Sequence, residues 1–228
     1  MFDSPNRTAR VAGLLYLVEI VTGIFSLIYV PLQIKVHGDA VATLKNLVSH
    51  EFLFRIDVLV GSFSGIVALV LPFVLYKLLS PVSKYAAVLM VVFGVVFIPI
   101  GFVATGYQLD ILSLLTDDNL RHAFTSDQIG AQIALLFTTI HDNTLVSEIF
   151  WGLWLIPFGY LVFKSGFLPK FLGVFLMLGS LSYLVPVVVE VLFPGYSVPT
   201  TVALPSAIGE IGTAFWLAFV GVGKQARR

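Results

Sequence analysis

Six carboxyl groups fall inside, or at the edge of, stretches that are otherwise apolar: Glu19, Asp57, Asp142, Glu148, Glu190 and Glu210. One guanidinium, Arg55, and one imidazole, His141, share that setting. An ionisable group at bilayer depth costs about 2.5–3.5 kcal/mol on the insertion scale. Each therefore requires a partner, water, a proton or a bound cation. The chemistry open to such a set is cation or proton binding by the carboxylates. A second option is acid/base work or metal ligation by His141 with Asp142, Glu148 and Glu210. Arg55 can serve one carboxylate bidentately. Glu148 or Glu210 is its expected partner on depth. Asp57 is weaker, since residues two apart on a helix diverge.

Helical spacing aligns these groups with small residues. Glu19 shares a face with Ala12, Gly23 and Ser26, and Asp57 with Gly61, Gly65 and Ala68. His141, Glu148 and Gly152 form a third such face, Gly173, Ser180, Tyr183 and Glu190 a fourth, and Ser206, Glu210, Thr213 and Ala214 a fifth. Small residues let helices approach closely, so the carboxylates should point inward. The expectation is an acidic, outward-facing pocket among spans one, two, four, five and six, with Trp151 as a wall. Blander roles stand beside it. Glu19 can be a plain helix-to-helix hydrogen-bonder, and Arg55 with Asp57 can mark the membrane edge. Glu190 precedes a loop and reads as interfacial. His141 can be a satisfied polar residue and Trp151 simple packing. Glu148 and Glu210, within apolar helices and beside small residues, resist such readings best.

The elements that must position these groups follow from composition. The chain has 228 residues, 58% hydrophobic and only 11% charged, against roughly 25% charged in soluble chains. Mean hydropathy is +0.98. Lys+Arg 13 cancels Asp+Glu 13. Those figures exclude an ordinary soluble globule, a disordered chain and a nucleic-acid binder with a basic field. With no cysteine, disulfides, thiolate zinc sites and cysteine nucleophiles are excluded too. Spans of about 20 apolar residues are read at Ala9 to Val30, Phe52 to Leu79, Tyr85 to Thr105, Thr144 to Phe163, Leu168 to Val191 and Ala203 to Val222.

With the N-terminus inside, nine of the 13 basic residues are cytoplasmic: Arg7, Arg10, Lys77, Lys84, Lys164, Lys170, Lys224, Arg227 and Arg228. Among the acids only Asp3 joins them. The positive-inside rule and the even span count agree on N-in, C-in. Short inner turns, Ser80–Ser83 and Ser165–Pro169, contrast with longer outer connections. One of these carries an amphipathic helix over Ala40–Val48, capped by Asp39. Gly106 to Asn143 is the longest. It is expected to hold a separate helix, capped at Ser126-Asp127, lying along the membrane or over the helices. Pro194 to Pro205 reads as an ordered loop. Pro99 and Pro186 should kink their spans. A faint echo between Lys77–Pro99 and Lys164–Pro186 suggests a parallel repeat.

No phosphate loop, zincin motif or dinucleotide fingerprint occurs, and no cofactor is expected. Gly61-Ser62-Phe63-Ser64-Gly65 resembles a nucleophile elbow only as a string; mid-helix it reads as small-residue packing.

A family resemblance rests on particular residues. Arg7-x-x-Arg10-Val-Ala-Gly-Leu-Leu-Tyr-Leu, the Gly38-Asp39 pair with Thr43 and Phe52-Leu-Phe-Arg55 are one part, and Leu75-Tyr76-Lys-Leu-Leu-Ser-Pro81 is a stronger one. The strongest is the run from Trp151 through Pro157, Tyr160, Ser165-Gly166-Phe167-Leu168-Pro169 to Gly173. Together they resemble the bacterial membrane family called domain of unknown function 4386, over about Arg7 to Trp216. The resemblance implies a multi-pass bacterial inner-membrane protein without an established activity. The His141-Asp142 pair before Trp151 is similar to that family's pattern.

The reading at this stage is an all-α polytopic membrane helical bundle of six spans, one integral domain over 1–228, in the cytoplasmic membrane. Its partners are the lipid bilayer and a cation or small-molecule ligand, not nucleic acid. Three functions remain open. The first is binding or transport of a cation or small amphipathic, cationic solute through the acidic cavity. The second is a structural or partner subunit. The third is a membrane-embedded enzyme on a lipid-like substrate, so catalysis stays undecided.

Overall fold

In the computed structural model, residues 4–222 are described. Asp3, Lys224, Arg227 and Arg228, used above for orientation, lie outside them. The described chain is helical nearly throughout, and six of its helices are long and apolar enough to cross a membrane.

Helix α1 spans Pro5–Ile34. It is α-helical over Pro5–Ile24, passes through a π turn at Phe25–Tyr29, and ends as α over Val30–Ile34. The short α2 is Ala40–Ser49; Asp39 Oδ1 accepts from the Ala42 amide at 2.8 Å and caps it as expected. Then come α3 Glu51–Leu79 and α4 Lys84–Thr116. A single turn, α5 Asp118–Ala123, is capped by Asp117. Helix α6 is Ser126–Lys164 and α7 is Lys170–Leu192. Helix α8, Thr200–Val220, opens with a 3-10 turn and closes with a π turn at Trp216–Val220.

Two expectations about the long outer connection are corrected. Span three does not stop near Thr105: α4 continues to Thr116. The expected separate helix from Ser126 is the first part of α6, one helix of 39 residues, continuous with span four. Its cap is Thr125 rather than Ser126-Asp127. Thr125 Oγ1 accepts from the Gln128 amide at 3.3 Å, while Gln128 Oε1 accepts from the Thr125 amide at 2.9 Å, a reciprocal capping box. The physical reason is that polar residues end a membrane crossing without ending a helix.

The chain divides into two compact units. The first comprises the described parts of Met1–Ile20, Val67–Ile98 and Leu145–Arg228; the second comprises Val21–Ile66 and Pro99–Thr144. The first unit is built around Tyr16, Leu75, Met90, Trp154, Phe158 and Leu176, all buried. Two close approaches join its helices, one between Gly13 of α1 and the Ala218 backbone of α8, the other between α6 and α7. A Cβ on Gly173 would lie 2.6 Å from the Phe163 nitrogen and 2.7 Å from the Gly159 carbonyl oxygen, so only glycine fits there. Between them Gly166 turns the chain at φ +72°, a conformation natural to glycine. The Ser165 hydroxyl donates to Val162 O at 2.8 Å and accepts from the Leu168 amide at 3.1 Å. The last described residue, Val222, donates its amide to Asn6 Oδ1 at 3.1 Å and ties the end of α8 to the start of α1.

The second unit has its own core of Val30, Ile34, Leu47, Phe54, Ile111 and Ile133. These come from α1, α2, α3, α4 and α6, which explains why the two long helices extend so far. Outward-facing Phe63, Phe73, Val92, Leu181 and Phe219 are each at least 45% exposed. Water would penalise such faces and lipid tails do not. The fold is a multi-pass membrane helical protein.

Candidate functional site

The candidate residues divide between the units. Glu19, Glu148, Trp151, Glu190 and Glu210 belong to the first; Arg55, Asp57, His141 and Asp142 to the second.

In the first unit Glu210 is the organising group. Helix α8 reaches it over small residues. A Cβ on Gly209 would lie 2.7 Å from the Leu176 nitrogen, and one on Gly179 would lie 2.8 Å from the Ser206 Cα. This closeness lets the Glu210 carboxyl reach hydroxyls on two other helices. Tyr16 on α1 donates to Oε2 at 2.8 Å, and Tyr183 on α7 donates to Oε1 at 2.7 Å. Both oxygens are held by neutral donors. Among the described residues no Lys, Arg or His pairs with Glu210. The charges of Glu19 and Glu148 act on the same pair of tyrosines, Glu19 on Tyr16 and Glu148 on Tyr183.

Aromatic rings enclose this clamp. Trp154 meets Tyr16 edge-on at 5.9 Å between centroids and stacks on Phe158 at 5.2 Å. Trp151 stands between Tyr183 at 5.8 Å and Phe97 at 5.9 Å, edge-on to both. Trp151 thus packs against a clamp tyrosine. Glu148 and Glu19 are half-buried, and Glu190 is exposed near the end of α7.

In the second unit Asp57 is 3% exposed. Gln108 Nε2 donates to its Oδ2 at 2.9 Å, while Oδ1 has no hydrogen-bond partner. The Thr22 and Ser64 hydroxyls meet at 2.9 Å in the same unit. Just past the end of α1, Lys35 places Nζ 4.9 Å from the Phe137 ring centroid. Burial lowers the Lys35 pKa, and the Asp57 charge opposes that shift. His141 and Asp142 are exposed, part-way along α6 rather than in a loop before it.

The expected partner of Arg55 is corrected. It pairs neither with Glu148 nor with Glu210 but with Glu51, one turn earlier on α3, at 2.7 Å from Nη2 and 2.8 Å from Nε. The cause is the helix boundary: α3 begins at Glu51, so the pair has the favourable acid-first i,i+4 order. The side chains are 45% and 36% exposed, so the pair is worth at most about 1 kcal/mol. No group of three or more His, Asp or Glu is placed to hold a metal ion among the described residues.

Tyr16, Gln108 and Lys35 were not singled out by sequence. Tyr16 carried a signal: with Ala9, Ala12 and Gly13 it continues one buried stripe. Nothing local marks Gln108, which is 51 residues from Asp57.

Comparison with known proteins adds a family and no activity. The family model described as Domain of unknown function (DUF4386) matches residues 11–221. An uncharacterized protein of the archaeon Archaeoglobus fulgidus is 32% identical over 147 residues, covering 64% of this chain and 72% of that relative. The bacterial setting implied by the resemblance therefore has an archaeal counterpart. No solved structure matches.

Proposed function

The chain belongs to the family described as Domain of unknown function (DUF4386), and we propose that its function is to bind, and carry across the membrane, a cation or a small cationic, amphipathic solute at Glu210. One observation supports this most. Glu210 sits in a helix long and apolar enough to span a membrane, with both oxygens on tyrosine hydroxyls and, among the described residues, without a cationic side chain of its own. Hydroxyls orient a carboxylate but do not neutralise it. A bound cation would, and the negative faces of nearby tryptophan and tyrosine rings favour one. Glu148 and Glu19 add negative charge around the same tyrosines.

We place the protein in the cytoplasmic membrane, with both termini inside, on the positive-inside distribution of Lys and Arg.

The test is thermal unfolding of the purified chain in nanodiscs, with choline and tetraphenylphosphonium as probes. One of them should raise the midpoint of the wild type and leave Glu210→Gln unmoved. Glu148→Gln should weaken the response. Equal responses of the wild type and Glu210→Gln would reject the reading. So would a Glu210→Gln protein that has merely lost stability while no probe moves the wild type, the result expected of a structural subunit.

A further inference from the structure

We propose that the second unit carries a separate site for a small monovalent cation, a proton or a sodium ion, formed by Asp57 and Ser26. Asp57 is 97% removed from solvent contact, at 3% exposure. Only one of its oxygens is bonded, and the donor, Gln108, is neutral. Oδ1 is open. The Ser26 hydroxyl lies close enough to interact with this carboxyl, and its oxygen too is buried without a hydrogen-bond partner. Two buried oxygens with unfilled capacity in one place are rare and costly. A small positive centre between or upon them would satisfy both oxygens at once.

The backbone adds a second, independent observation. Ser26 belongs to the π turn Phe25–Tyr29, which interrupts an otherwise regular α1. Such a turn inserts a residue and re-aims the side chains around it, and π turns recur at functional sites. Here it occurs at a serine that interacts with a buried carboxyl. The charged group whose field reaches Asp57 is Lys35. Its ammonium lies over the Phe137 ring instead of on the carboxylate, so it compensates only at a distance. Gln108 fixes the orientation of Asp57 and supplies no charge. Proton and sodium ion share the required chemistry: each is small, each binds a carboxylate oxygen, and each accepts a hydroxyl oxygen as a second partner.

No residue of the Glu210 cluster takes part, so either proposal can fail alone. The experiment uses the full chain in nanodiscs with two readouts. One is the unfolding midpoint in sodium chloride against choline chloride at equal ionic strength. The other is the protonated-carboxyl stretch in infrared spectra titrated without sodium. A sodium-dependent rise that also suppresses the carboxyl band assigns the site to sodium. A band that titrates without a sodium effect assigns it to the proton. Asp57→Asn should abolish whichever signal the wild type gives, and Glu210→Gln should leave it intact. If Asp57→Asn fails to fold, Ser26→Ala removes only the hydroxyl. It should weaken apparent sodium affinity, or shift the titration midpoint, by about tenfold, the worth of one hydrogen bond to a charged group. The proposal is overturned if the wild type shows neither signal. It is equally overturned if Ser26→Ala leaves the observed one unchanged, as expected where a buried water fills the space.

Discussion

Removing one hydroxyl at a time from the Glu210 clamp measures how much charge the carboxylate carries. Tyr16→Phe deletes the 2.8 Å bond to Oε2, and Tyr183→Phe deletes the 2.7 Å bond to Oε1. Both rings stay in place, so the aromatic packing is preserved. Ordinary side-chain hydrogen bonds between membrane helices average about 0.6 kcal/mol. A bond to an ionised group is worth about 1.5–3 kcal/mol. The two magnitudes barely overlap, so the cost decides the state. If Glu210 is ionised when no ligand is bound, each variant should lose about 1.5–3 kcal/mol. In a Glu210→Gln background the same replacements should fall to about 0.6 kcal/mol. Because both donors serve one carboxylate, the double variant should also depart from additivity by at least about 0.5 kcal/mol. Equilibrium unfolding in mixed detergent micelles reads all of these. Single variants within about 0.3 kcal/mol of wild type would refute the clamp as an energetic feature. Full losses that persist unchanged in Glu210→Gln would refute its electrostatic basis.

Other expectations follow from separate parts of the molecule. Gly173→Ala would set a Cβ 2.6 Å from a backbone nitrogen that cannot swing aside, costing about 1–3 kcal/mol of unfolding free energy. Gly101→Ala meets nothing within 4 Å and should be neutral or stabilising by up to about 1 kcal/mol; a reversed order would show the α6–α7 approach to be misplaced. Lys35 has a folded pKa below the ordinary 10.5, so the unfolded chain binds more protons between those two values, and stability should rise with pH across that window. Asp57→Asn removes the opposing field and should widen the window, while Lys35→Met should flatten the slope; a slope that falls with pH contradicts the assignment. Because the chain lacks cysteine, single replacements label without background. Ser80→Cys should react only from the cytoplasmic side of right-side-out vesicles and Ser197→Cys only from the outer side, and the opposite pattern would invert the proposed topology.

What could be read from sequence depended on how local the physics was. The six crossings follow from run length and apolar content, because lipid imposes the same demand on every window of about 20 residues. The Asp39 cap and the Ser165–Pro169 turn were legible for the same reason: donor and acceptor lie within a few residues. The reach of α4 to Thr116 and of α6 back to Ser126 was not, since both extensions are held by a second apolar core assembled from five helices. Ile111 and Ile133 look like interrupted hydrophobic runs until Leu47 and Phe54 are placed beside them. Arg55 was misread by one turn of helix. Glu51 was left outside span two, which made a local ion pair look like a distant one. Glu210 was found as an anomaly and Tyr183 as part of an inward face, but Tyr16 and the pairing of both tyrosines with Glu210, 194 and 27 residues away, were not.

Glu210 and Asp57 face the same difficulty with different means, and the difference bears on what each can do. Glu210 has a donor on each oxygen, from two helices other than its own, so its position is fixed whether or not anything binds. Such a group suits a ligand too large to enter the carboxylate's own hydrogen-bond shell, one that settles against the aromatic rings and feels the charge through space. Asp57 has one oxygen fixed by an amide and one left open beside a hydroxyl that is also open. That arrangement suits a particle small enough to sit on a single oxygen. A purely structural protein would gain by closing Asp57 as thoroughly as Glu210, since a buried polar atom without a partner costs about 1–3 kcal/mol. The open oxygen is therefore the stronger sign of function of the two, and its response to sodium and to pH is the more decisive measurement.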